Sequence, residues 1–102
     1  MALAGCGIVG PLYVLSSDTV DWAIAIGAGQ NCIQGLRLRT ATLDSVIIAS
    51  PAQHGDLSIH GTGFEYRANM GFSGRDSFVI TVSGINKRVP GQSTIRVDVL
   101  VK

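Results

Sequence analysis

The chain predicts an all-β domain, a β-sandwich of about seven antiparallel strands, and three observations carry that expectation. Short apolar stretches recur with a two-residue period, most clearly in 93–101, where Ile95, Val97, Val99 and Val101 share one face. The 13 glycines, with clusters of Ser, Asn and Pro, punctuate the chain at turn spacing. No stretch carries an amphipathic helical period. A length of 102 residues suits one domain. A chain of that size buries roughly 65% of its unfolded surface, enough for a single two-layer core.

Taken in order, 1–17 reads as an N-terminal tail or lead-in edge strand, since Pro11 interrupts its pairing. The sandwich then occupies 18–102. Ser16-Ser17-Asp18 is turn chemistry, and 20–26 alternates with Val20, Trp22, Ile24 and Ile26 on one face. Trp22 reads as a core plug. Gly27-Ala28-Gly29 lacks the third glycine and following helix of a dinucleotide site. Strands follow at 33–38, with Leu36 and Leu38 inward and Arg37 and Arg39 outward, and at 43–49 around Val46-Ile47-Ile48. A loop carries Pro51 and Gly55. Strands 57–60 and 64–67 form a hairpin about Gly61-Thr62-Gly63, 76–83 is a long strand, and 84–92 is a polar loop before the last strand.

The densest stretch is 63–82. Phe64 and Tyr66 point inward, and the Tyr66 hydroxyl can bond backbone at the sheet edge. Gly71 and Gly74 allow backbone angles that a side chain would forbid. Phe72 plugs the end of the core, Asp76 accepts from turn amides, and Phe78 anchors the next strand. Each marked residue has a sufficient structural role.

From about Ala49 to the end, the ordered run Pro51, Gly55, Phe64-Glu65-Tyr66, Gly71-Phe72-Ser73-Gly74-Arg75-Asp76-Ser77-Phe78 resembles the immunoglobulin-like and cadherin-like tandem modules of exported bacterial proteins. The resemblance implies an immunoglobulin-like sandwich, an extracytoplasmic setting (periplasmic, cell-surface or secreted), and a non-catalytic structural, adhesion or protein-interaction role. It also brings calcium into view, because cadherin-like modules bind it through loop carboxylates. Here Asp18, Asp21, Asp44, Asp56, Glu65, Asp76 and Asp98 are dispersed, and no Asp-x-Asp run collects the six to eight oxygens calcium takes. No cofactor is expected.

Other chemistry is thinly represented. His54, Asp56 and His60 lie close in sequence and supply the alternative reading, a small secreted metal-dependent binding protein or enzyme. Exposed loop and strand positions account for all three. The net charge of +1, with eight basic residues interspersed, gives no footprint for nucleic acid. No apolar run reaches the ~18 residues of a membrane span. The expected partner is a protein or cell-surface ligand, met by sheet edges, sandwich-end loops and the 84–92 loop with Lys87 and Arg88. Self-association through a sheet edge or the apolar N-terminal segment is a third expectation.

Two cysteines, Cys6 and Cys32, allow one disulfide in an oxidising compartment, contributing roughly 3 kcal/mol in the chain-entropy model. Leu3-Ala4-Gly5-Cys6 also resembles the lipobox of bacterial lipoproteins. Only five residues precede Cys6, so the charged and hydrophobic parts of a signal are absent. Lipidation at Cys6 would leave Cys32 free.

Overall fold

The computed structural model describes residues 8–36 and 41–102. Seven strands build it: β1 (Asp18–Ile26), β2 (Asn31–Gly35), β3 (Ala41–Ser50), β4 (Gly55–His60), β5 (Gly63–Ala68), β6 (Gly74–Asn86) and β7 (Val89–Val101). They form a four-stranded sheet in the order β1-β7-β6-β3 and a three-stranded sheet in the order β2-β5-β4. This is an immunoglobulin-like β-sandwich. No helix among the described residues is long and apolar enough to cross a membrane.

The two-residue period decides which side chains enter the core. In β7, Ser93, Ile95, Val97, Val99 and Val101 are buried, while Arg96 and Asp98 between them are exposed. β6 buries Asp76, Phe78, Ile80 and Val82, and β5 buries Phe64, Tyr66 and Ala68. Each fully buried aliphatic or aromatic side chain contributes about 1.5–3 kcal/mol relative to exposure. Phe78 ties the layers together: its ring meets Phe64 edge-on at 5.3 Å and stacks on Tyr66 at 5.8 Å. Trp22 is buried on β1, and its indole N–H donates to the Pro11 carbonyl at 2.6 Å.

Several details depart from the sequence reading. One strand pair is parallel: β1 runs alongside β7 in register from Asp18↔Ser93 to Ile26↔Val101, whereas all pairs were expected antiparallel. Residues 8–17, read as a tail or lead-in edge strand, pack against the sandwich. Val9 bridges to Ala23, Tyr13 and Leu15 are buried, and the Tyr13 hydroxyl donates to the Leu36 carbonyl. Burial pushes that phenol up to about 12. Strand β2 begins at Asn31, so Cys32 enters the core and Ile33 is left 59% exposed.

The largest difference lies at 84–92. No loop exists there: β6 and β7 continue as a hairpin to Asn86↔Val89, with Ile85 paired to Pro90 and Gly84 to Gly91. Lys87 and Arg88 close it, both with positive φ, which is the two-residue turn whose twist matches the strands. Gly91 has a packing reason, since a Cβ there would fall onto the Leu15 carbonyl. The expectations for Leu38, Arg37 and Arg39, and for Cys6 and the tail before residue 8, lie outside the described residues.

Candidate functional site

The marked 63–82 stretch converges on one carboxylate. Asp76 sits near the start of β6 in the four-stranded sheet and is buried. Its Oδ1 accepts from the amides of Gln53 at 3.0 Å and Ser77 at 2.8 Å. Its Oδ2 accepts from the His54 amide at 3.0 Å and the Tyr66 hydroxyl at 2.8 Å. Tyr66 belongs to β5 in the other sheet, and Gln53 and His54 belong to the chain crossing from β3 to β4. One side chain therefore joins both layers and the crossover between them. The Tyr66 hydroxyl was expected to reach backbone, and it reaches this carboxylate instead.

Burial pushes the Asp76 carboxyl up, but the Tyr66 hydroxyl and the amides of Gln53, Ser77 and His54 outweigh it and hold it below the usual carboxylate range. Burial, reinforced by the Asp76 charge, raises the Tyr66 phenol well above its ordinary value. The residues between them form the corner. Gly71 and Gly74 have φ of +82° and +128°. Phe72 is half-buried and stacks on the His54 ring at 4.4 Å, and the Asn69 amide donates to the His54 carbonyl at 2.9 Å.

His54, Asp56 and His60 do not assemble. His54 lies against Phe72, while Asp56 and His60 occupy the exposed face of β4. Those two are four positions apart along the strand, about 13 Å, too far to share an ion. His60 instead joins a cross-strand cluster with Ser58, Glu65 and Arg67. The Ser58 hydroxyl meets His60 Nε2 at 3.0 Å, and Glu65 Oε1 approaches the same nitrogen at 3.3 Å. Because serine and acid share one ring nitrogen, the cluster lacks the geometry of a nucleophilic relay, in which the acid holds the opposite nitrogen. Glu65 is occupied further by the Asn31 side-chain amide at 2.7 Å and Arg67 at 3.3 Å, which hold its carboxyl below the usual range. Among the described residues, no group of three or more His, Cys, Asp or Glu is placed to hold a metal ion.

The remaining polar groups also tie strands. Ser93, overlooked in the sequence because serine reads as surface, is buried; it donates to Asp18 at 2.6 Å and accepts from the Leu15 amide at 2.8 Å. Its place on the apolar face of an otherwise regular alternation was the available signal. Arg96 makes a forked pair with Asp21 across β1 and β7, at 2.6 and 3.0 Å. Every buried side-chain nitrogen and oxygen among the described residues has a hydrogen-bond partner. Cys32 is fully buried opposite Tyr66 and is disulfide-bonded. Cys6, the other cysteine in the sequence, lies outside the described residues, and with it the lipobox. No family model matches the chain, and no curated protein is significantly similar to it.

Proposed function

We propose that this chain is a non-catalytic, extracytoplasmic module of immunoglobulin-like form, serving a structural, adhesive or protein-interaction role. The observation that carries the reading is the use made of Asp76. A carboxyl kept for proton transfer or nucleophilic attack is commonly poised, with a raised affinity for its proton and a side open to substrate. Asp76 has four donors and a lowered proton affinity, so it is a poor base and a permanent acceptor. The disulfide at Cys32 supports an oxidising compartment, where such bonds persist.

The sign of a stability change separates a framework role from a catalytic one. Groups held for chemistry are commonly suboptimal for stability, and their replacement tends to stabilise the fold. Asp76→Asn places an amide donor against backbone donors and removes the charge. A framework role requires it to lower stability by about 3 kcal/mol, a drop of roughly 10–20 °C in Tm for a domain of this size. An unchanged or higher Tm would count against the reading. Thiol alkylation of denatured, unreduced protein from its native compartment should label neither cysteine; labelling of both would contradict the extracytoplasmic setting.

A further inference from the structure

All four non-glycine residues with positive φ among the described residues, Leu15, Ser17, Lys87 and Arg88, lie at one end of the molecule. The Ser17 amide donates to the Gln92 carbonyl at 2.8 Å, and the Asn86 side-chain amide to the Val14 carbonyl at 3.3 Å. The N-terminal lead-in is thus packed along the base of the β6–β7 hairpin. This end also holds exposed aliphatic side chains: Val14 at 50%, Ile85 at 42% and Val89 at 62%. At its apex stand Lys87 and Arg88, both exposed and neither in an ion pair among the described residues.

Two cations on a projecting tip, ringed by aliphatic side chains, complement a surface that is anionic outside and apolar just beneath. We propose that the β6–β7 hairpin tip docks on a bilayer bearing anionic phospholipid headgroups, with Lys87 and Arg88 at the phosphates and Ile85 and Val89 dipping below them. Local charge favours this occupant, since cations beside apolar side chains complement anionic headgroups over hydrocarbon. The hairpin end, Ile85-Asn86-Lys87-Arg88-Val89-Pro90, carries two cations and no acidic residue. The left-handed turn adds the presentation: consecutive residues with φ of 52° and 69° set both cations at the apex of a two-residue loop. Apolar burial and attraction to anionic lipid act together in such peripheral contacts. This inference is independent of the role proposed for Asp76.

The test is co-sedimentation of the oxidised chain with vesicles of phosphatidylcholine alone and of phosphatidylcholine mixed with phosphatidylglycerol. Binding is expected only to the mixed vesicles and should weaken with salt. The double variant Lys87→Asn/Arg88→Gly removes both charges while supplying residues suited to the left-handed turn, so it keeps the fold. It should partition about 30-fold more weakly, about fivefold per cation. Val89→Ser should weaken binding while leaving the salt dependence in place. Equal binding to both vesicle types, or undiminished binding by the double variant, overturns the proposal. So does capture by soluble polyglutamate without vesicle binding, which would indicate an acidic protein, or concentration-dependent dimerisation that the double variant abolishes.

Discussion

Asp76 and Tyr66 illustrate how far single residues can be read. Both stand out in the sequence, one beside a glycine pair and the other on an alternating aromatic strand, and their burial follows from that pattern. Their mutual bond does not, nor do the amides of Gln53 and His54, which come from 23 and 22 residues away and are brought in by the sheet crossover. Asp18 follows the same logic: burial opposes its charge, while Ser93 and the amides of Ser16 and Val14 lower its proton affinity overall. Both carboxyls bind protons less tightly in the folded state than in the unfolded chain, whose reference value is about 3.9. The stability they contribute is therefore complete above that value and is lost as pH falls through the lower folded values. Urea midpoints should decline below about pH 4, and in Asp76→Asn the decline should be shallower. An identical acid dependence in the variant would show that Asp76 has no part in it.

At the level of elements, the strands were legible where the environment alternates and obscure where a neighbouring segment alters it. β7 announces itself through Ile95, Val97, Val99 and Val101, but its first four residues, with Pro90 and Gly91, look like a loop. Glycine is required there by the approach of the Leu15 carbonyl, a long-range contact that local signals do not encode. Gly91→Ala should cost about 1–3 kcal/mol through overpacking, visible as a lower urea midpoint. The turn was hidden for a related reason. Lys87-Arg88 lacks the Asn-Gly signature of its class, and each residue bears about 1–2 kcal/mol of left-handed strain. Lys87→Asn/Arg88→Gly should accordingly stabilise the domain by about 1–2 kcal/mol; a destabilised variant would show that the native pair makes a compensating contact. β3, at the end of its sheet, was legible as a β-branched run, yet its pairing with β6 shifts register at Leu43/Ser45 and Ile48/Ser50. Such irregularities interrupt the regular backbone spacing that edge pairing with another sheet needs.

For the whole molecule, the two-layer all-β class was legible because turn spacing and a two-residue period recur along the entire chain. The parallel β1–β7 pairing was not, since it joins segments from opposite ends of the domain. The disulfide at Cys32 adds a covalent restraint to a domain of modest core. Its reduction should lower stability by roughly 3 kcal/mol, measured as a shift in urea midpoint between oxidised and reduced protein. The central claim is that the buried polar groups, Asp76 foremost, hold the sandwich together. Native-state hydrogen exchange at Gln53 and His54 tests this most directly, because both amides belong to a connecting segment and donate to Asp76. If Asp76 holds the crossover to both sheets, these two amides should exchange only with global unfolding, at the same free energy as the β6 amides of Phe78 and Ile80, and lose that protection in Asp76→Asn. Exchange at ordinary loop rates in the wild-type chain, or protection unchanged by the substitution, would contradict it.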